Sequence, residues 1–165
     1  MTIEATGRVV ATAAGRDLIV PRSLAMPIAE AWIFVSDSEH TEQWFGPWEG
    51  DGRTGGSIRV RMRFEEGHPE IRMNVLACEA PARLALKSVG EYGSWDLELR
   101  LEEDGEEDTL VSLVHHLGED DAVGEIGPGW EFYMDLLVAA TEGTEEPTFD
   151  QYYPSMSGHY TAQLG

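Results

Sequence analysis

Residues 127–143, Gly127-Pro-Gly-Trp-Glu-Phe-Tyr-Met-Asp-Leu-Leu-Val-Ala-Ala-Thr-Glu-Gly143, read as one long helix towards the C-terminal end of the chain. At about 100° per residue, Glu131, Asp135 and Glu142 fall on one narrow stripe, and Trp130, Tyr133, Leu136, Leu137 and Ala140 spread over the rest. A helix that is apolar over so much of its circumference must be wrapped by other elements. Pro128 suits a first helical position, and Gly143 suits the left-handed residue that ends a helix.

The preceding chain supplies the wrapping. Residues 57–64, Ser-Ile-Arg-Val-Arg-Met-Arg-Phe, alternate without exception, with Ile58, Val60, Met62 and Phe64 on one face and Arg59, Arg61 and Arg63 on the other. Further strands are expected over 8–12, 17–24, 70–79, 84–88, 95–101 and 109–117. Pro21 places the second of these at an edge or a bulge. Asp104-Gly105 marks a hairpin tip, and Asp96 and Glu98 are expected opposite the arginine row. Pro27 opens a short helix over 28–35. Ser36-Asp-Ser-Glu39 has the form of a capping box, so a second short helix is expected from about Ser38 to Phe45. Residues 118–129 read as a long acidic loop. The aromatic tail 144–165 packs back on the domain 1–143 or crosses to a partner, which allows a homodimer. The whole is an α+β chain: an antiparallel sheet curved around a C-terminal helix, with a cavity between them.

The chain has 165 residues, enough for one domain with a substantial core. Its net charge of −20 repels nucleic acid and anionic membranes. No apolar run reaches membrane-spanning length and the N-terminus lacks signal-peptide character, so a cytoplasmic protein is expected. A single cysteine, Cys78, excludes an intramolecular disulfide. His40, His68 and His159 have no metal-ligand spacing, and no cofactor-binding motif is found. The glycine-rich 50–56 leads into a strand rather than a helix, which removes the phosphate site that a helix N-terminus would provide.

Several stretches resemble, in order, the activator of heat-shock protein 90 ATPase-like branch of the START-like (SRPBCC) superfamily. They are Met26 to Trp32, Ser36-Asp37 leading to Gln43-Trp-Phe-Gly-Pro47, Gly55-Gly56, Cys78-Glu-Ala-Pro81, Thr109 to His115, and Gly129-Trp130. The resemblance implies a helix-grip fold, with two short helices near the N-terminus and a deep pocket for a lipid-like or aromatic ligand.

His115 points inward by period two, and His116 outward. Two readings of His115 stand: a pocket group that accepts a proton or binds a ligand oxygen, or a buried histidine bonded to the backbone. Trp32, Trp44, Phe45, Trp48, Trp95, Trp130 and Tyr133 read first as core aromatics. Trp44 and Phe45, beside the expected mouth, are the stronger ligand contacts. The expected ligand-binding set is Trp44, Phe45, Met62, Phe64, Trp95, Leu97, Leu99, Val111, Leu113, His115, Trp130, Tyr133 and Leu137. Binding of a small hydrophobic molecule ranks first, an aromatase/cyclase-type enzyme using His115 as acid/base second, and a chaperone activator last, with a chaperone not expected as partner.

Overall fold

The computed structural model describes residues 4–89 and 95–164. Eight strands form one antiparallel sheet in the order β1-β2-β8-β7-β6-β5-β4-β3. They are β1 (Arg8–Thr12), β2 (Gly15–Leu24), β3 (Trp48–Gly50), β4 (Ser57–Arg61), β5 (Glu70–Glu79), β6 (Arg83–Val89), β7 (Asp96–Asp104) and β8 (Asp108–Leu117). Between β2 and β3 lie α1 (Ile28–Ser36) and α2 (Ser38–Thr41). After β8 come α3 (Val123–Glu142) and a short tail helix, α4 (Ser157–Thr161). The alternating apolar residues of β2, β4, β5, β7 and β8 form one core with α1 and α3. Pro21 lies beyond the last pair of β1, Arg8 opposite Ile19, where β2 has β8 as its strand partner. The missing donor is tolerated there.

Several expectations are corrected. The long helix begins at Val123, so the second half of the expected acidic loop is helical and Pro128 sits inside the helix. Its missing N–H removes the bond that would reach the Gly124 carbonyl, and tertiary packing offsets the loss. A Cβ at Gly124 would lie 2.7 Å from Ser157 Oγ, and one at Gly127 would overlap the Tyr160 ring. The two glycines thus let the tail approach the helix. Gly143 closes the helix at φ 67°, as expected.

The capping box does not form. Ser36 Oγ donates instead to the Trp32 carbonyl at 2.6 Å, and Asp37 occupies the N-cap of α2. The α2 helix stops at Thr41, whose carbonyl accepts the N–H groups of Trp44, Phe45 and Gly46 as the chain passes into turns. Strand β4 ends at Arg61, which leaves Phe64 half-buried in the following turn under the Arg63 guanidinium. The arginine row does not meet Asp96 and Glu98, because β5 and β6 separate β4 from β7. Arg59 stands opposite Arg72 and pairs with Glu49, 3.5 Å away.

The acidic stripe of α3 is not solvent-facing at Glu131, which is fully buried. Its carboxylate accepts from Thr6 N (2.6 Å), Thr6 Oγ1 (2.7 Å), Gly7 N (3.1 Å), Arg22 Nη2 (2.9 Å) and the Tyr160 hydroxyl. Arg22 also reaches Asp135 at 2.7 Å, which in turn accepts from Tyr152. The tail lies against its own chain, with Tyr152, Met156 and Tyr160 buried. No helix among the described residues is long and apolar enough to cross a membrane.

Candidate functional site

A cavity of about 80 Å³ lies between the inner face of β4 to β8 and the segment from Val35 to Trp48. That is several times the space a single water needs, about 10–15 Å³ on the same kind of measure. Strand alternation builds its floor: Ile58 and Val60 from β4, Met73 and Val75 from β5, Leu97 and Leu99 from β7, and Leu113 from β8. Val35, Trp44, Phe45 and Trp48 form the opposite wall, and Trp130 closes it from α3. The polar contribution is slight. The Thr41 hydroxyl is already used on the Gly46 carbonyl at 2.8 Å. Glu98 also lines the cavity, but its carboxylate bonds to Arg83, Arg100 and His116.

Of the residues expected from sequence, Trp44, Phe45, Leu97, Leu99, Leu113 and Trp130 line this cavity. Met62, Val111 and Leu137 are buried elsewhere in the core, and Phe64 and Trp95 pack against that core half-buried. Tyr133 and His115 stand behind the wall, each within ring-contact distance of Trp130. Val35, Trp48, Met73 and Val75 belong to the wall but were not in the expected set. Strand alternation marks the last two as inward. What it cannot give is which part of the inward surface stays uncovered.

Trp130 Nε1–H donates to His115 Nδ1 at 3.0 Å. An Nδ1 that accepts fixes the neutral tautomer with hydrogen on Nε2. His115 is 1% exposed, and its Nε2 faces Asp121 Oδ2 at 3.9 Å. The Nδ1 lone pair of His115 is therefore taken up by the Trp130 indole. Taking a proton on Nδ1 requires the indole to let go first. Tyr133 is also buried. Burial, with the Glu65 carboxylate adding to it, pushes its phenol above the usual range.

On the outer face, His116 Nδ1 lies 2.7 Å from Asp17 Oδ1, and its Nε2 lies 2.7 Å from Glu98 Oε2. Two carboxylates around one ring call for two donors, the imidazolium form. Burial lowers the His116 pKa, but the hydrogen bonds to Asp17 and Glu98 outweigh it and the net shift is upward. Burial likewise raises Glu98, and hydrogen bonds from Arg100, Arg83 and His116 outweigh it, holding this carboxyl at about 2. The histidine's contribution is complete below pH 6.5, its ordinary value, and is lost as pH rises through the raised folded pKa. The glutamate's contribution is complete above pH 4.5 and is lost as pH falls towards 2. Urea unfolding across pH should show this cluster stabilising most between pH 4.5 and 6.5. In His116→Gln the decline above pH 6.5 should flatten; an unchanged profile would show that the histidine does not drive it.

Among the described residues no group of three or more His, Cys, Asp or Glu side chains is placed to hold a metal ion. The charged clusters tie strands and tail together.

An antiparallel sheet closed on a long C-terminal helix, with an apolar cavity beneath two short helices, is the helix-grip architecture of the START-like superfamily. Residues 25–142 match the family described as activator of Hsp90 ATPase homolog 1-like protein, and the chain belongs to that family. CalU16 from Micromonospora echinospora is similar in structure, with a TM-score of 0.78 and 27% identity over 98% of this chain and 97% of that one. DynU16, described as a putative protein in the dynemicin biosynthetic locus, has a TM-score of 0.69 and 22% identity over 84% of this chain and 50% of that one. The Aha1 dimer from Colwellia psychrerythraea has a TM-score of 0.63 and 14% identity over 76% of this chain and 96% of that one. No curated protein gives a significant match.

Proposed function

We propose that this protein binds a small, uncharged, hydrophobic molecule in the cavity between the sheet and the α1–α2 segment. The observation that carries the reading is the wall itself. Leucine, isoleucine, valine, methionine and aromatic side chains leave about 80 Å³ unfilled. An apolar void of this kind forfeits contacts on every lining atom, and an apolar ligand restores them. The net charge of −20 disfavours an anionic ligand.

The 3.9 Å approach of Asp121 to His115 supports a second reading, acid–base catalysis of the aromatase/cyclase kind. Binding ranks above it because His115 Nδ1 is held by Trp130, Nε2 faces Asp121, and the ring lies behind the cavity wall. Native mass spectrometry of freshly purified protein, with identification of any molecule released on denaturation, tests the proposal. A bound apolar compound is expected. Protein that is empty and also fails to take up naphthalene or decanol would overturn it.

A further inference from the structure

One lining residue, Phe45, stands at the centre of an aromatic cluster. Phe45 sits in the turns after α2 and is half-buried, and its ring is enclosed by four other aromatic rings. Trp130 lies nearly parallel to it, at 21° and 6.3 Å between centroids. Tyr133 meets it edge-on at 64° and 5.3 Å, and Trp44 and Trp95 are tilted against it at 5.5 and 6.2 Å. A face on one side and an edge on another are what a flat aromatic ring prefers, since the negative face and positive rim of each ring are then matched.

The backbone of Phe45 is held by hydrogen bonds, whereas its side chain is held by ring contacts alone. Its N–H donates to the Thr41 carbonyl at 2.7 Å, and its carbonyl accepts from Arg63 N at 3.2 Å. The next residue, Gly46, is wedged against the Arg61 carbonyl. Motion is therefore left to the two side-chain torsions. Because the ring also forms part of the cavity wall, turning it outward joins the cavity to the space between Trp95, Trp130 and Tyr133.

We infer that Phe45 fills an aromatic subsite, and that the ligand carries a flat, uncharged aromatic ring that takes its place when the side chain swings out. This rests on the binding function proposed above and narrows it to a ligand class. A saturated chain cannot reproduce the stacked and edge-on contacts.

The test is NMR titration of protein carrying ring-labelled phenylalanine, with naphthalene as a flat uncharged probe and decanol as an uncharged chain. Phe45→Leu identifies the Phe45 resonances among the five phenylalanines. Saturable naphthalene binding is expected, with the Phe45 ring signals leaving their ring-current-shifted positions for those of a free phenylalanine. Decanol should bind without that change. Phe45→Ala should bind naphthalene at least about tenfold more tightly than wild type, the subsite being already vacated. Naphthalene binding that leaves the Phe45 signals in place would overturn the subsite but not the cavity. So would uptake of decanol without uptake of naphthalene. Failure of both probes to bind would remove the binding function as well.

Discussion

Replacing Glu131 with alanine is expected to lower stability by about 3–5 kcal/mol, the range for removing one partner from a buried ion pair. The carboxylate has no exposed surface and accepts five hydrogen bonds, from Thr6, Gly7, Arg22 and Tyr160. Burial alone would raise its pKa; the bonds from Tyr160, Thr6, Arg22 and Gly7 outweigh this and lower it. Without it, Arg22 keeps Asp135 but loses its deeper partner. The Tyr160 hydroxyl, two backbone N–H groups and the Thr6 hydroxyl lose theirs as well. Each orphaned donor adds a desolvation cost of about 1–3 kcal/mol where water cannot reach it. The tail and residues 6–7 should loosen together, seen as a lower urea midpoint and faster proteolysis after Gly143. Glu131→Gln, which retains two acceptor lone pairs, should lose about half as much. A loss below about 1 kcal/mol for the alanine variant would mean that the network relaxes around water and is not a structural clasp. Because the folded pKa is lowered, this contribution is present above pH 4.5 and fades as pH falls below it.

Gly46→Ala is the second large effect. A Cβ there would overlap the Arg61 carbonyl oxygen and crowd the Arg63 backbone nitrogen. Neither is the free end of a side chain, so strand β4 and the turn carrying Phe45 must separate. Overpacking of this sort costs about 1–3 kcal/mol and can exceed it when backbone has to move. The bond from Arg63 N to the Phe45 carbonyl, that from Gly46 N to the Thr41 carbonyl and that from the Thr41 hydroxyl to the Gly46 carbonyl would stretch with it. Calorimetry should show a clear fall in Tm. Backbone chemical-shift changes should concentrate at residues 41–48 and 58–64. An unchanged Tm would show that the two segments are not in close contact.

How far the fold was legible depended on whether the signal was local. The alternation of β4, β5, β7 and β8 and the apolar circumference of α3 were visible because each element shows its burial in its own periodicity. The start of α3 was not. Gly124, Gly127 and Pro128 oppose a helix by propensity, and the helix continues through them because the tail packs there. The same gap hid Glu131. On a helical wheel it shares a stripe with Asp135 and Glu142, and nothing nearby in sequence shows that Arg22, more than a hundred residues earlier, covers it. Sheet order defeated the pairing expected between the arginine row and Glu98. Alternation assigns a face but not a neighbour.

The site was legible to a similar depth. Trp44, Phe45, Leu97, Leu99, Leu113 and Trp130 could be placed on the inward surface and do line the cavity. The partner that sets the His115 tautomer could not be read, because an indole on α3 and an imidazole on β8 meet only through tertiary packing. Val35 and Trp48 could be read as apolar positions, but not as cavity wall, because α1 and β3 meet over the sheet only through tertiary packing.

The most direct test of ligand binding fills the cavity. Val75 is buried on β5 and lines the void, so Val75→Phe places a ring in space that is already empty. Naphthalene titration of wild type and variant by calorimetry should show saturable binding to the first and at least about a tenfold loss in the second. The variant's Tm should stay within a few degrees of wild type. Equal affinity in a folded variant would place the ligand elsewhere and contradict the account.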